Sequence, residues 1–229
     1  MSASDTRRLS DPKYLVGHWP LAGHPNDVSG HGFNGTLVNS PTYTASLFGR
    51  QCLALNGTTQ SVRVGDITQL DGAAQLSFSC WLSQDNIASA QDRIFERAAG
   101  LNGFLAHTAT STFVMYVMSG VAAYSIFNYP SGWTNSTWVH LCIVYDGTQA
   151  TAANRVRLHV NTQEITAAST VGTFPTTLGS AAGTIATISG NTGNYGFGGK
   201  LSACRLYLVA LTGAEIRALY LFELGGGIA

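Results

Sequence analysis

The chain has 229 residues, of which only 10% are charged, against about 25% in an average soluble domain. Its 12 basic and 12 acidic side chains cancel, and only Lys13 and Lys200 are lysines. No basic stripe or polybasic patch results, which excludes nucleic acid and membrane surfaces as partners, and no run of about 18 apolar residues could cross a bilayer. No Pro/Gly/Ser-rich linker divides the chain, so one domain is expected.

Residues 1–13 (M-S-A-S-D-T-R-R-L-S-D-P-K) form a polar arm without the apolar core of a secretory signal. Leu9 is its single large apolar residue, so the arm has little reason to dock on its own domain. Arg7, Arg8 and Leu9 are therefore expected to touch a neighbouring subunit or an underlying shell. From 14 to 222, period-two alternation dominates. It predicts strands at 14–19, 51–55, 60–64, 76–82, 93–98, 112–118, 121–127, 138–145, 155–160, 184–189 and 200–208. Between them stand turn residues such as Asn56-Gly57, Ser119-Gly120 and Pro130-Ser131-Gly132. In the segment 76–82, Leu76, Phe78, Cys80 and Leu82 share one face while Ser77, Ser79 and Trp81 share the other; 138–145 is apolar on both faces, as a central strand would be. At least two of Trp19, Trp81 and Trp138 are expected to be buried. Thr212-Gly213-Ala214-Glu215 has the form of a capping box, followed by Ile216, Leu219 and Tyr220 at helical spacing. Residues 223–229, with Gly225-Gly226-Gly227, are expected to be a flexible tail. The pattern predicts an all-β, two-sheet antiparallel jelly-roll sandwich with one short C-terminal helix.

The order and spacing of L-V-G-H-W-P-L from Leu15, D-V-S-G-H-G-F-N-G-T-L-V-N at 27–39, L-A-L-N-G-T-T-Q-S-V-R-V from Leu53, W-V-H-L-C-I-V-Y-D-G at 138–147 and the stretch 199–220 carry a resemblance. Over about residues 14–221 the chain resembles the laminin-G-like, concanavalin A-type jelly-roll family in its pentraxin-related version. That resemblance implies the fold just described and, in many members, calcium at the loop that here holds Asp27. Calcium wants six to eight oxygens, several from carboxylates. The late strand that would supply partner acids reads Leu201-Ser202-Ala203-Cys204-Arg205 here, so Asp27 is read instead as closing its own loop, and no metal or cofactor is expected.

Catalytic chemistry finds little support. Glycosidases on this architecture place paired carboxylates about 5–9 Å apart, whereas Glu96, Glu164, Glu215 and Glu223 are scattered, and no nucleophile elbow, P-loop or zinc motif occurs. The chain is read as a non-enzyme with no catalytic residues. Cys52, Cys80, Cys142 and Cys204 lack C-x-x-C spacing and are read as buried, reduced thiols. His140 alternates with core positions and is read as a satisfied strand histidine; His24 and His31 share a loop without a third ligand. Sugar contact calls for exposed aromatics beside amides, and the candidates are Trp133 in Tyr129-Pro-Ser-Gly-Trp133 and Asn191, Asn194 and Tyr195 in a second loop.

Two functions compete. One is a structural protein, most concretely a capsid decoration or cement protein made in the cytosol without a signal peptide, displayed on a virion surface and homo-oligomeric. Low charge, reduced cysteines and the gripping arm support it. The alternative is a secreted or surface-attached carbohydrate-binding module in an extracellular setting, with glycans as partners, which the family resemblance supports.

Overall fold

The computed structural model describes residues 9–46, 49–89, 91–190 and 195–225. Arg7, Arg8, Asn191, Asn194 and the last four residues lie outside the described residues. Within them the chain forms two antiparallel sheets of eight strands each. The first runs β13 (Gln163–Ile165), β12 (Val156–Val160), β11 (Trp138–Asp146), β6 (Gln75–Gln84), β16 (Gly198–Tyr207), β4 (Gln51–Asn56) and β3 (Thr42–Ala45), with β1 (Leu15–Trp19) also paired to β16. The second runs β14 (Ser169–Val171), β10 (Ala122–Asn128), β9 (Thr112–Ser119), β8 (Asn102–Ala109), β7 (Asp92–Ala99), β15 (Ala186–Ile188), β5 (Ser61–Gly65) and β2 (Thr36–Val38).

Alternation explains which residues meet between the sheets. Leu76, Phe78, Cys80 and Leu82 of β6 and Val139, Leu141, Ile143 and Tyr145 of β11 face Phe95, Phe104, Phe113, Met115 and Val117 of the second sheet, and the Phe78 and Phe95 rings stack at 4.8 Å. Trp19 and Trp81 are buried, while Trp138, at the start of β11, is only half-buried. Gly17 makes room for Trp19: a Cβ there would collide with the indole. All four cysteines are free and buried. Strands β2, β3, β8, β13 and β14 were not expected from the pattern. The largest, β8, contains Gly103 at φ 109°, where a Cβ would strike the Arg97 backbone; its pairing with β7 and β9 imposes the strand that its own residues announce weakly.

Strand β16 is irregular. Its register against β6 shifts between Ser202 and Arg205, with Ala203 at φ 51°. This bulge moves the alternation by one residue, so Cys204 and Leu206 join Leu201 in the core and Arg205 is turned to the opposite face.

That outer face is covered by the C-terminal helix Gly213–Leu224, which starts at the expected capping box of Thr212 and Glu215. Ile216 and Leu219 pack there against Cys142, Val144 and Tyr207. Two expectations are corrected. Leu9 does find a dock on its own domain: it packs onto this same apolar cluster, and the Tyr207 hydroxyl donates to its carbonyl at 3.4 Å. Burying a leucine on the molecule's own helix outweighs leaving it in water. Nor does the tail begin at 223, because Glu223 is helical and 3% exposed, drawn inside by Arg205 and by the Trp81 indole, whose Nε1 donates to Oε2 at 2.7 Å.

Candidate functional site

The outer face of the second sheet carries one continuous row of side chains. Cross-strand register aligns Thr36, Arg63, Thr187, Glu96, Leu105, Tyr116, Tyr124 and Val171, one from each of the eight strands. Their neighbours in sequence are core residues: Val62, Phe95, Phe104, Val117 and Ala123 point inward, and the pleat then sends the row outward.

The middle of this face is a cleft of about 720 Å³, within the ~300–1,000 Å³ range of small-molecule sites. Its floor is Glu96, Leu105, Tyr116, Met118 and Thr187; the turn at Gly100 and Leu101 and the loop Gly183–Ile185 form walls, and Arg63 and Arg93 close one side. Tyr116 of the floor is flanked by two rings just outside the cleft lining, Tyr124 at 4.8 Å and His107 stacked at 5.7 Å, giving an aromatic platform across β8, β9 and β10 that continues from the cleft. Both tyrosine rings are only partly buried. Burial raises the Tyr116 phenol and lowers the His107 imidazole, so both are uncharged near neutral pH. The formal charges lining the cleft are therefore Arg63, Arg93 and Glu96. Glu96 is ion-paired with Arg93 and accepts from the Thr187 hydroxyl at 3.2 Å. Chemically this is an aromatic floor for the apolar face of a ligand, edged by a carboxylate and two guanidiniums that exchange hydrogen bonds with hydroxyls. Among the described residues, Glu96 is the one carboxylate that lines the cleft.

One wall is fixed from beneath. Arg97, buried at the end of β7, takes Asp66 through Nε at 3.0 Å and Nη2 at 2.7 Å, and Asp71 through Nη1 at 2.9 Å and Nη2 at 3.1 Å. The same two carboxylates accept from Gly183 N and Ala181 N, each at 2.8 Å.

Of the residues singled out in the sequence, Tyr195 joins this site at its edge: its carbonyl accepts from Arg93 N at 2.9 Å and the Arg93 guanidinium lies 4.7 Å from its ring. Trp133 does not. It is 5% exposed, belongs to the inter-sheet core and stacks on Tyr129 at 4.0 Å, because the turn at Gly132, φ 88°, folds the indole inward. The Tyr116–Tyr124 pair was missed because a two-residue turn at Ser119-Gly120 would set Tyr116 opposite Ala123, whereas the register pairs Met118 with Ala122 and so brings Tyr124 opposite Tyr116.

The Asp27 loop holds itself together. Oδ1 accepts from His18 N and Ser29 N at 2.9 Å; Oδ2 accepts from the Ser29 hydroxyl at 2.9 Å and Phe33 N at 3.0 Å. With every carboxylate direction taken by a donor, this set does not fit calcium, and no group of three or more His, Cys, Asp or Glu that could hold a metal occurs among the described residues. His24 accepts from Asn26 N and His31 contacts the Pro12 carbonyl, so the two serve separate contacts. His140 is buried as expected, yet neither ring nitrogen has a hydrogen-bond partner; it sits beside the Trp81 and Tyr220 rings with Glu223 Oε2 at 3.6 Å.

Solved structures share this architecture. Domain 4 of AbnA, an extracellular arabinanase from Geobacillus stearothermophilus solved in complex with arabinotriose, superposes with a TM-score of 0.62 at 19% identity, over 91% of this chain and 99% of that one. The binding domain of Paraclostridial Mosquitocidal Protein 1 gives a TM-score of 0.68 at 15% identity, over 91% of this chain and 52% of that one. A botulinum neurotoxin type C structure, whose cell entry is described as dependent on two ganglioside molecules, gives 0.63 at 11% identity over 97% and 53%. The chain thus spans about half of these toxin chains. Among curated proteins nothing matches. Residues 56–217 match the Laminin_G_3 family, described as the concanavalin A-like lectin/glucanases superfamily, and with most of its length inside that match the chain belongs to this family.

Proposed function

We propose that this chain is a non-enzymatic carbohydrate-binding module whose site is the cleft on the second sheet. The observation that carries the reading is the Tyr116–Tyr124 platform, set in register with Glu96, Thr187 and Arg63 on a rigid sheet floor. A sugar ring laid on the tyrosines puts its apolar C–H face on carbon and its hydroxyl edge toward the charged side. Strand-borne groups give such a site its precision, since a sheet holds side chains more tightly than loops do. The arabinotriose complex of the arabinanase domain, and the ganglioside dependence of the toxin, support a sugar as the ligand class.

A glycan array followed by titration calorimetry tests the reading. Tyr116→Ala and Tyr124→Ala are each expected to weaken the best oligosaccharide about tenfold, matching the ~0.5–1.5 kcal/mol of an aromatic contact with its buried area added. Absence of binding to any glycan, or affinity untouched in both variants, would sink it.

A further inference from the structure

A second cavity lies on the opposite side of the sandwich. It sits between the N-terminal segment at Leu9, the loop at Val28 and Ser29, and the helix at Leu219 and Phe222, and encloses about 280 Å³, just under the ~300 Å³ at which ordinary ligand pockets begin. Its walls are apolar and its mouth carries Val28, 49% exposed, and Phe222, 44% exposed. Its floor is polar. His18 of β1 and Arg205 of β16 are register partners there, and it is the β16 bulge that turns Arg205 to this face.

Neither floor residue is saturated by the fold. His18 is 1% exposed, and its Nε2 has no hydrogen-bond partner. Arg205 is 2% exposed and meets Glu223 through Nη1, whereas a guanidinium has about five N–H donors to place. A buried polar group without a partner is destabilising, and apolar residues of equal volume would serve stability as well or better. Polarity at the end of an apolar cavity therefore asks for an occupant that supplies the missing contacts.

We propose that this cavity binds a small neutral amphiphile, a single hydroxyl on a short hydrocarbon body, whose oxygen takes an N–H of Arg205 and whose hydroxyl meets His18 Nε2. Charge decides the head group. Glu223 already balances Arg205, and burial first, then the Arg205 charge, holds the His18 pKa down at about 3, so the imidazole is neutral at pH 7. A carboxylate or ammonium head would enter as an uncompensated buried charge. A hydroxyl donates and accepts without bringing one, and it serves either His18 tautomer. The site is independent of the tyrosine cleft.

The test uses the full chain and three probes that share one body: 1-hexanol, hexanoate and hexylamine at pH 7.4, followed by methyl NMR. Hexanol is expected to give saturable shifts at Leu15, Val28 and Leu219, with the two charged probes at least about tenfold weaker. His18→Leu is expected to weaken hexanol about fivefold, as loss of one hydrogen bond does; if that variant does not fold, the head-group series on the native chain decides alone. No saturable shift with hexanol, which would mean a cavity holding water only, overturns the proposal, and so does equal affinity for all three heads or an unchanged affinity in His18→Leu.

Discussion

Asp146 closes β11 with its carboxylate ringed by donors: the Thr148 hydroxyl at 2.6 Å, Gln149 Nε2 at 2.6 Å and Gln75 Nε2 at 2.8 Å. Partial burial pulls its pKa upward, but the Thr148, Gln75 and Gln149 hydrogen bonds outweigh that and hold it at about 2. The folded value lies below the unfolded value of ~3.9, so the stabilisation is fully present above about pH 5 and is lost progressively as pH falls through about 2, being gone near about pH 1. Asp146→Asn should therefore melt below the native chain at about pH 6, and the gap should narrow below about pH 5, with about a third of it left at about pH 2.5, in a pH series of thermal melts; a constant gap would refute this origin. Trp133 makes the converse case, a residue whose role is packing. Trp133→Ala is expected to destabilise by about 3–5 kcal/mol, as large aromatic truncations do. Glycan affinity of the folded protein should hold, and a calorimetric loss as large as that of Tyr116→Ala would return Trp133 to the sugar site.

Strands and loops set the shape of the cleft more than any single side chain on its floor. The wall at 181–183 hangs from Asp66 and Asp71, and both carboxylates are held below their ordinary range chiefly by hydrogen bonds from Arg97. Arg97→Met removes the shared donor and leaves two carboxylates side by side. The expected outcome is a loss of about 1.5–3 kcal/mol in stability and a weakened glycan interaction although Arg97 touches no ligand. Arg97→Lys should fail to rescue it, because an ammonium cannot fork to two carboxylates. Hydrogen exchange at Ala181 and Gly183 checks the mechanism: protection equal to the native chain would show that the wall stands without the clamp.

The whole molecule presents two unlike faces, a tyrosine cleft on the second sheet and a helix-covered first sheet whose exposed Leu221, Phe222 and Leu224 accompany the small cavity. The low charge invites subunit packing, and attachment to a capsid or another shell remains a setting we propose for the glycan module. Leu9 packs on its own domain, and the other two arm residues expected at such a contact, Arg7 and Arg8, lie outside the described residues. Light scattering, then co-sedimentation with candidate particles, tests that setting: a chain that is monomeric at about 100 μM, so that any self-association is weaker than about 100 μM, and that stays in the supernatant would leave the module without an assembly role.

Period-two alternation was enough to sort β6 into two faces and to mark β11 as covered on both; two of the three tryptophans considered for burial, Trp19 and Trp81, are buried, and short motifs announced the capping box of Thr212 and Glu215 and the loop-closing role of Asp27, because each depends on neighbours a few residues away. The cleft was not legible in that way. Arg63, Thr187, Glu96, Leu105, Tyr116 and Tyr124 come from six strands spread over about half the chain, and only the register of the sheet makes them a row. The same holds on the other face, where an unannounced bulge at Ala203 shifts the phase of β16 and sets Arg205 beside His18. Local periodicity determines which residues face inward; where outward residues meet is settled by strand pairing between distant segments, and that is a property of the tertiary structure alone.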